Sequence, residues 1–236
     1  MSNASKVASE TMSADQSMLT LDNLDVAIDS TPILRAVSLQ LRKGEMVSLV
    51  GRNGAGKTTT LRAIMGLLPL QAGSIRLGNN IISNEPAHRR VDLGIGYMPE
   101  DRRLIPRYSV EENILMSSWM GGNKRNRDRL DEVYTLIPEL KGFAQRQALS
   151  LSGGQQKLVA LGRALLAGRD VLLLDEPFEG VAPALVQRIN EIMSELSSRS
   201  DRTVLVSDSS ISEGNSFYDR HVFIERGQIS DFPAGH

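Results

Sequence analysis

The sequence predicts an α/β fold with a parallel sheet at its core, an antiparallel β subdomain and a helical insert. Met46 to Val50 form a short apolar run that leads into a glycine-rich loop and then a helical pattern. The apolar run Val171 to Leu174, just before Asp175, is typical of a parallel strand buried on both faces. Apolar positions alternate from Leu19 to Ile28 and from Leu34 to Leu41, which predicts antiparallel strands.

The remaining elements follow from local patterns in chain order. Leu61, Ile64, Met65 and Leu68 at helical spacing predict a helix after the glycine-rich loop, ending at Pro69. From Ser109 to Leu149 the pattern is helical and free of strands, with five apolar residues predicted as core: Val110, Ile114, Leu130, Val133 and Leu140. The other predicted elements are strands at Ile75–Leu77 and Ile95–Met98, a helix at Pro183–Ser198, a strand at Thr203–Ser207 and a hairpin around Arg226-Gly227.

Length and composition limit the classes of function. The chain has 236 residues, 41% of them hydrophobic, and a net charge of −1. One core with a small subdomain is therefore expected, without direct binding to nucleic acid. The basic segment Lys124 to Arg129 is interpreted as a solvated loop. No apolar run reaches the roughly 20 residues that span a bilayer, so direct membrane insertion is not expected. The sequence has no cysteine, consistent with a cytosolic protein.

The predicted domain organisation is simple. Residues 1–17 are small and polar and predict a disordered tail without a secretory or transit signal. Residues 18–232 are expected to form a single domain, with the helical insert at about 101–150. Trp119 and Met120 are interpreted as core residues of that insert.

The glycine-rich loop has the composition of a phosphate-binding loop, or Walker A motif. Its glycines allow backbone N–H groups to approach phosphates, Lys57 reaches the β- and γ-phosphates, and the Thr58 hydroxyl ligates Mg²⁺. The loop therefore predicts a bound nucleotide with Mg²⁺, the alternative being an ordinary glycine-rich turn. The loop alone does not say which NTPase this is, and ATP as the cofactor is implied by the family resemblance given below. The predicted ATP-binding residues of the loop are Gly51, Arg52, Asn53, Gly54, Ala55, Gly56, Lys57, Thr58 and Thr59.

A second cluster lies near the carboxyl end of the predicted strand at Val171. Asp175 is predicted to hold Mg²⁺ through its water shell and Glu176 to be the catalytic residue that polarises the attacking water. Upstream, Ser152, Gly153, Gly154 and Gln155 form the start of a helix, and an open helix N-terminus suits a γ-phosphate. Two plainer readings remain open, a solvated Asp-Glu-Pro turn and a Ser152/Gln155 capping box, and the second is compatible with phosphate binding.

Together, Leu151-Ser-Gly-Gly-Gln-Gln156 and Val171-Leu-Leu-Leu-Asp-Glu-Pro177 resemble the ATPases of the ABC family over about residues 18–232. The resemblance implies a head-to-tail dimer, with a second copy or a homologous ATPase subunit, in which each ATP lies between one phosphate loop and the other chain's Ser152 segment. It also implies transmembrane permease subunits as partners. This chain would then be cytoplasmic and peripherally bound to the inner face of the cell membrane. Two alternatives from other classes remain open: a soluble ABC ATPase of DNA repair or translation, and a regulatory subunit that binds ATP without hydrolysing it.

Within this family, three segments resemble the ATPase subunits of branched-chain amino-acid importers: Gly96–Arg103, Ser109–Asn113 and Glu176–Pro183. The resemblance implies import of branched-chain amino acids or other small polar solutes. It places Glu100 near Mg²⁺ and the attacking water, where it relays nucleotide state to the permease, the plainer reading being an exposed acid after proline. The segment from Ser109 to Trp119 is the expected coupling surface.

Two positions depart from the family pattern. No aromatic residue that would stack on adenine occurs in Val26-Ala-Ile-Asp29. Asp208 follows the predicted strand where relatives carry histidine or glutamine facing the γ-phosphate. An aspartate there repels the phosphate unless it is protonated or turned away. These departures motivate the hypothesis that hydrolysis at this chain's own phosphate loop is slow.

Overall fold

The computed structural model describes residues 17–118, 123–210 and 216–230. These residues form two sheets with helices packed around them. The strands are β1 (Ser17–Ile28), β2 (Thr31–Arg42), β3 (Met46–Val50), β4 (Ala72–Leu77), β5 (Asn80–Ile81), β6 (Ile95–Met98), β7 (Val171–Asp175), β8 (Thr203–Asp208), β9 (Arg220–Glu225) and β10 (Gln228–Ser230). The α-helices are α1 (Lys57–Ile64), α2 (Ala87–Asp92), α3 (Val110–Leu115), α4 (Asn123–Leu136), α5 (Pro138–Gly142), α6 (Gly153–Ala167) and α7 (Pro183–Arg199).

The larger sheet has the strand order β10-β9-β3-β8-β7-β6. Its strands from β9 to β6 are parallel, and β10 adds an antiparallel hairpin. Residues of β7 alternate between two cores: Leu172 and Leu174 pack on one face, Val171 and Leu173 on the other. Burial on both faces explains the continuous apolar run in this strand. Because β3 and β7 are parallel, their carboxyl ends meet at one edge of the sheet.

The smaller sheet is antiparallel, with the order β2-β1-β4-β5. Its inward-facing residues, Leu19, Leu21 and Ile75 among them, share a core with α1 and with the Val47/Leu49 face of β3. The other face of the large sheet packs against α3 to α7, including all five residues predicted as core of the insert. The α/β prediction and the antiparallel subdomain are therefore confirmed. Trp119 and Met120 lie outside the residues whose side chains are described.

Some predicted boundaries were wrong. Helix α1 ends at Ile64 rather than at Pro69, because Gly66 adopts a φ of +71° and the buried Arg90 donates hydrogen bonds to the carbonyls of Ala63 (2.9 Å) and Ile64 (2.8 Å). These bonds satisfy helix-end acceptors. Strand β5 and helix α2 had no clear apolar pattern and were not predicted.

The basic segment at 124–129 is part of helix α4, not a loop. The helix buries Leu130, Val133 and Leu136, which are spaced three residues apart on one side. Among the described residues, none of the helices combines the length and apolar character needed to cross a membrane. Strand β1 begins at Ser17, and residues 1–16 lie outside the described part.

Candidate nucleotide-binding site

The glycine-rich loop connects β3 to α1 at the carboxyl edge of the large sheet. Gly51 has to be glycine because an added Cβ would lie 2.5 Å from the Ile224 carbonyl oxygen. Gly56 precedes helix α1 with a φ of +114°, in the region that side chains disfavour. Strand, loop and helix therefore have the geometry that brings backbone N–H groups towards a phosphate.

Lys57 is buried at the start of α1, and its ammonium has three partners. Its Nζ donates to the carbonyls of Gly51 (2.7 Å) and Arg52 (3.3 Å) and lies 2.9 Å from Glu176 Oε1. The two carbonyl bonds hold the lysine across the loop. The ion pair places the predicted phosphate-binding lysine next to the predicted catalytic acid.

Asp175, at the end of β7, is fully buried and accepts three hydrogen bonds. Thr58 Oγ1 donates to its Oδ1 at 2.9 Å, Ser207 Oγ donates to the same oxygen at 2.8 Å, and the Tyr97 hydroxyl donates to Oδ2 at 3.0 Å. A hydroxyl and a carboxylate oxygen in contact are the hard oxygen donors that suit Mg²⁺. Thr58 and Asp175, two of the three predicted metal ligands, are thus brought together.

Glu176 leaves the strand by a change of backbone conformation. Its φ is +48°, which is uncommon for a residue with a side chain, and its N–H donates to Ser207 Oγ at 3.0 Å. Without this turn, alternation along the strand would place Glu176 on the face opposite Asp175. The turn directs both acids to the same edge of the sheet, at Lys57 and Thr58.

These groups border a cleft of about 350 Å³. The third predicted metal residue, Glu100, also lines this cleft. Its carboxylate forms a cluster with those of Glu176 and Glu179, in which one oxygen of each residue lies within 4.8 Å of the other two. Glu100 therefore lies beside Glu176, the predicted catalytic residue, rather than against Thr58 and Asp175. The residues that line the cleft are Ile33, Asn53, Gly54, Gly56, Lys57, Thr58, Thr59, Glu100, Glu176 and Glu179.

The segment from Ser152 to Gln155 begins helix α6. Ser152 Oγ accepts from the Gln155 N–H at 3.3 Å, and Gln155 Oε1 accepts from the Ser152 N–H at 3.1 Å, so the predicted capping box is present. Ser152 and Gly153 are exposed, and this segment does not line the cleft of its own chain.

This chain combines a strand, phosphate loop and helix with two acids at the end of β7, which β8 separates from β3, and with a separate exposed helix start. Residues 34–179 match the family model described as ABC transporter, which is more than half of the chain. The chain belongs to the ABC transporter family. The ABC ATPase fold predicted from the sequence is confirmed.

Individual relatives agree with this assignment. The chain is 35% identical over 212 residues to the high-affinity branched-chain amino acid transport ATP-binding protein BraG of Pseudomonas aeruginosa, which covers 90% of this chain and 91% of BraG. It is also 35% identical over 213 residues to the lipopolysaccharide export system ATP-binding protein LptB of Escherichia coli K12, covering 89% and 88%. A solved ATP-binding cassette of an ABC transporter in its ADP conformation superposes with a TM-score of 0.77 at 26% identity, covering 91% of this chain and 89% of that chain.

In this ABC ATPase, the region without an aromatic residue is the hairpin between β1 and β2. Ile28 ends β1 and is 38% exposed, and Ile33 at the start of β2 lines the cleft. Aliphatic side chains therefore lie where the family resemblance implies an aromatic face for adenine.

The prediction for Asp208 was wrong in its geometry. Strand β8 includes Asp208, so this residue does not follow the strand, and its carboxylate is 8% exposed. Asp208 Oδ2 accepts from Ser48 Oγ (3.0 Å) and from the Tyr218 hydroxyl (2.8 Å). Burial raises the pKa of Asp208, while these two hydrogen bonds lower it. The residue that follows the strand is Ser209, which is exposed.

Three residues that hold the site together, Tyr97, Ser207 and Lys157, were not predicted from the sequence. Tyr97 and Ser207 hold Asp175, and Ser207 also holds Glu176. Lys157 donates to backbone carbonyls of the turn after β7, and burial, with a contribution from Arg102, lowers its pKa to about 8. Lys157 lies on helix α6, whose apolar residues indicate that the helix packs against the core. That pattern does not show that the Lys157 side chain reaches the turn after β7.

Proposed function

We propose that this chain binds Mg·ATP in the cleft and hydrolyses it to drive a transporter. One observation carries the proposal: Lys57 Nζ lies 2.9 Å from Glu176 Oε1, and Thr58 Oγ1 lies 2.9 Å from Asp175 Oδ1. A phosphate-binding cation, a pair of hard oxygen ligands and an acid that can accept a proton are thus adjacent at one sheet edge. Phosphoryl transfer to water requires these groups.

The roles of the side chains follow from their present partners. Lys57 exchanges the Glu176 carboxylate for phosphate oxygens when a triphosphate binds, and this exchange frees Glu176 to orient a water. Thr58 and Asp175 are the residues that would hold Mg²⁺, with Glu100 next to the attacking water. Bound Mg²⁺ would neutralise charge on the phosphate oxygens. Tyr97 and Ser207 fix the direction of the Asp175 carboxylate.

The second half of the site comes, on this proposal, from another subunit. The exposed N-terminus of α6, from Ser152 to Gln155, supplies unobstructed N–H groups that suit a γ-phosphate. Because this segment does not line the cleft of its own chain, it is available to a facing copy or to a homologous ATPase subunit. The proposed assembly is a head-to-tail dimer bound to permease subunits on the cytoplasmic face of a membrane.

The proposed cargo is a branched-chain amino acid or a related small polar solute, moved inwards. BraG supports this assignment, as do Glu100 and Ala182, at which this chain resembles such importers. LptB, at the same identity, makes lipopolysaccharide export the second candidate. Extraction from the native membrane in mild detergent distinguishes them: a permease whose complex hydrolyses ATP faster with branched-chain amino acids supports import, and stimulation by lipopolysaccharide alone supports export.

The Glu176→Gln variant tests the hydrolytic proposal. Removing the proton acceptor should lower kcat by about 100-fold or more while ATP binding is kept. Binding can be followed with a fluorescent ATP analogue, and ATP-dependent dimerisation by size-exclusion chromatography with light scattering. Lys57→Ala is the matched control that should lose binding itself. Turnover unchanged in Glu176→Gln would refute the assignment, and binding without turnover in the parent would indicate a regulatory subunit instead.

A further inference from the structure

Lys157 ties helix α6 to the turn that carries the catalytic acid. The side chain is buried, with 4% of its surface exposed, and it lies on α6 just after the Ser152–Gln155 segment. Its Nζ donates to the Glu176 carbonyl at 3.0 Å and to the Glu179 carbonyl at 2.7 Å. One ammonium therefore holds both ends of the turn from Glu176 to Glu179.

This turn has a backbone that needs to be held. Glu176 is in the left-handed region with a φ of +48°, a conformation that persists when surrounding contacts determine it. Its N–H is held by Ser207 of β8 and its carbonyl by Lys157 of α6. The two contacts hold the N–H and the carbonyl of the same residue, so they fix the direction in which the Glu176 side chain leaves the strand.

Charge adds a second reason for a cation at this position. Glu100, Glu176 and Glu179 bring carboxylate oxygens within 4.8 Å of one another, and like charges at this separation repel. Glu100 and Glu176 attract the Lys157 ammonium, whereas Arg102 repels it. Lys157 thus offsets part of the negative charge around the catalytic acid while it holds the turn.

The same helix also holds the segment that contains Glu100. Arg163, on α6, donates to the carbonyls of Arg102 (2.5 Å) and Arg103 (2.7 Å). In return, Arg102 donates to the Gly153 carbonyl at 3.3 Å and to Gln156 Oε1 at 3.1 Å. Helix α6 is therefore bonded to both acidic segments that border the cleft.

We propose that Lys157 is a positioning residue for Glu176, which makes helix α6 and the Glu176–Glu179 turn move as one body. The inference rests on the proposed function, because it takes Glu176 as the catalytic acid. It goes further in one respect: a displacement of the Ser152 end of α6, where a facing subunit's triphosphate is proposed to bind, is transmitted to the acid of the same chain. Triphosphate binding at one nucleotide site thereby changes the position of the catalytic acid at the other site.

The test compares Lys157→Met, Lys157→Arg and Lys141→Met. Methionine keeps the length of the side chain but cannot donate hydrogen bonds, arginine can still reach two carbonyls, and Lys141 is an exposed lysine on α5. We expect Lys157→Met to lower kcat by about 10- to 100-fold, the size of effect produced by a misplaced catalytic group. KM and binding of the fluorescent ATP analogue should stay within about twofold, since ground-state binding is unchanged. Lys157→Arg should recover most of the turnover, and Lys141→Met should match the parent.

Amide hydrogen exchange gives a readout that does not depend on turnover. In Lys157→Met, exchange should rise in peptides that cover residues 176–182 and stay at the parent level in peptides from the phosphate loop. Parent-level kcat and exchange in Lys157→Met would overturn the inference. A rise of exchange across the whole chain in both Lys157→Met and Lys157→Arg would also overturn it. That result would indicate that both substitutions only disturb packing.

Glu176→Gln, measured in the same assays, separates this inference from the proposed function. If Glu176→Gln abolishes turnover and Lys157→Met does not, the positioning role is wrong and the ATPase assignment stands. If Glu176→Gln leaves turnover unchanged, the ATPase assignment itself is wrong. Should Lys157→Met be poorly folded, Lys157→Gln, which keeps one amide donor, takes its place with a smaller expected loss of kcat.

Discussion

The phosphate end and the adenine end of the cleft are built from different kinds of residue. At the phosphate end, Lys57, Asp175 and Glu176 are buried, and each makes at least two polar contacts with another element or with the loop. At the other end, Ile33 lines the cleft with an aliphatic side chain, and Ile28, in the same β1–β2 hairpin, is exposed. On the proposed function, the groups for chemistry on phosphate are therefore present, and we expect a smaller stacking contribution to ATP affinity.

Asp175→Asn tests the phosphate end and has the largest expected effect. Asparagine keeps the shape of the side chain but lacks the negative charge that Mg²⁺ requires, so kcat should fall by about 100-fold or more. The measurement is steady-state release of phosphate over a Mg²⁺ titration. Asp201→Asn, at an exposed aspartate, is the control and should match the parent. Equal turnover in Asp175→Asn and the parent would show that the phosphate end does not work as proposed.

Ser209→Gln adds a polar group at the position that follows β8. Relatives are expected to contact the γ-phosphate there, and a hydrogen bond to a charged group contributes about 1.5 kcal/mol or more. We therefore expect kcat to rise about tenfold, with Ser210→Gln, at the next exposed serine, without effect. Measured phosphate release decides the matter: no gain in Ser209→Gln would mean that this position does not limit the rate.

Asp208 shows where sequence reasoning failed and why. The strand was predicted to end at Ser207, but β8 continues for one more residue and pairs Asp208 with Val50. Side chains alternate along a strand, so an error of one residue at its end moves a side chain from the cleft to the interior. The first residue after the strand is thus Ser209, which is exposed, rather than Asp208.

The phosphate loop and the sheet core were predictable because their requirements are local. Gly56 meets a condition of the loop backbone itself, its φ of +114°, and the apolar run before Asp175 reflects burial on two faces. The residues that orient the acids were not predictable in the same way. Tyr97 is 78 residues from Asp175 along the chain, and Lys157 is 22 from Glu179, so their contacts depend on how strands and helices pack.

Ile28→Tyr sharpens the comparison at the adenine end. An aromatic ring at the end of β1 should stack on adenine and tighten ATP binding by about 1 kcal/mol, or about fivefold in Kd. Isothermal titration calorimetry with ATP and with inorganic triphosphate is the measurement, and only ATP should bind more tightly. Ile81→Tyr, at a more exposed isoleucine on β5, is the control. Equal tightening for both ligands would show that the gain does not come from adenine.

Asp208→Asn has the smallest expected effect and concerns stability rather than turnover. Burial raises the pKa of Asp208 above its unfolded value, so the native state binds its proton more readily than the unfolded state. The favourable contribution of this carboxyl is therefore complete below the unfolded pKa and is lost as the pH rises through the folded pKa. Asparagine does not ionise, and its carbonyl oxygen can accept the hydrogen bonds from Ser48 and Tyr218. The variant should thus gain stability relative to the parent as the pH rises from 4 to 7, because only the parent then carries a buried charge.

Urea unfolding at pH 4, 5.5 and 7 measures this gain, provided that the m-value stays the same in both proteins. Tyr218→Phe supplies the opposite change at the same carboxylate, because it removes one donor and leaves the charge; it should destabilise the protein most at pH 7, by about 1 kcal/mol. If Asp208→Asn were less stable than the parent at every pH, the hydrogen bonds would outweigh the burial of charge. If Asp208→Asn raised kcat about tenfold, as expected for Ser209→Gln, that result would indicate that Asp208 acts in the cleft.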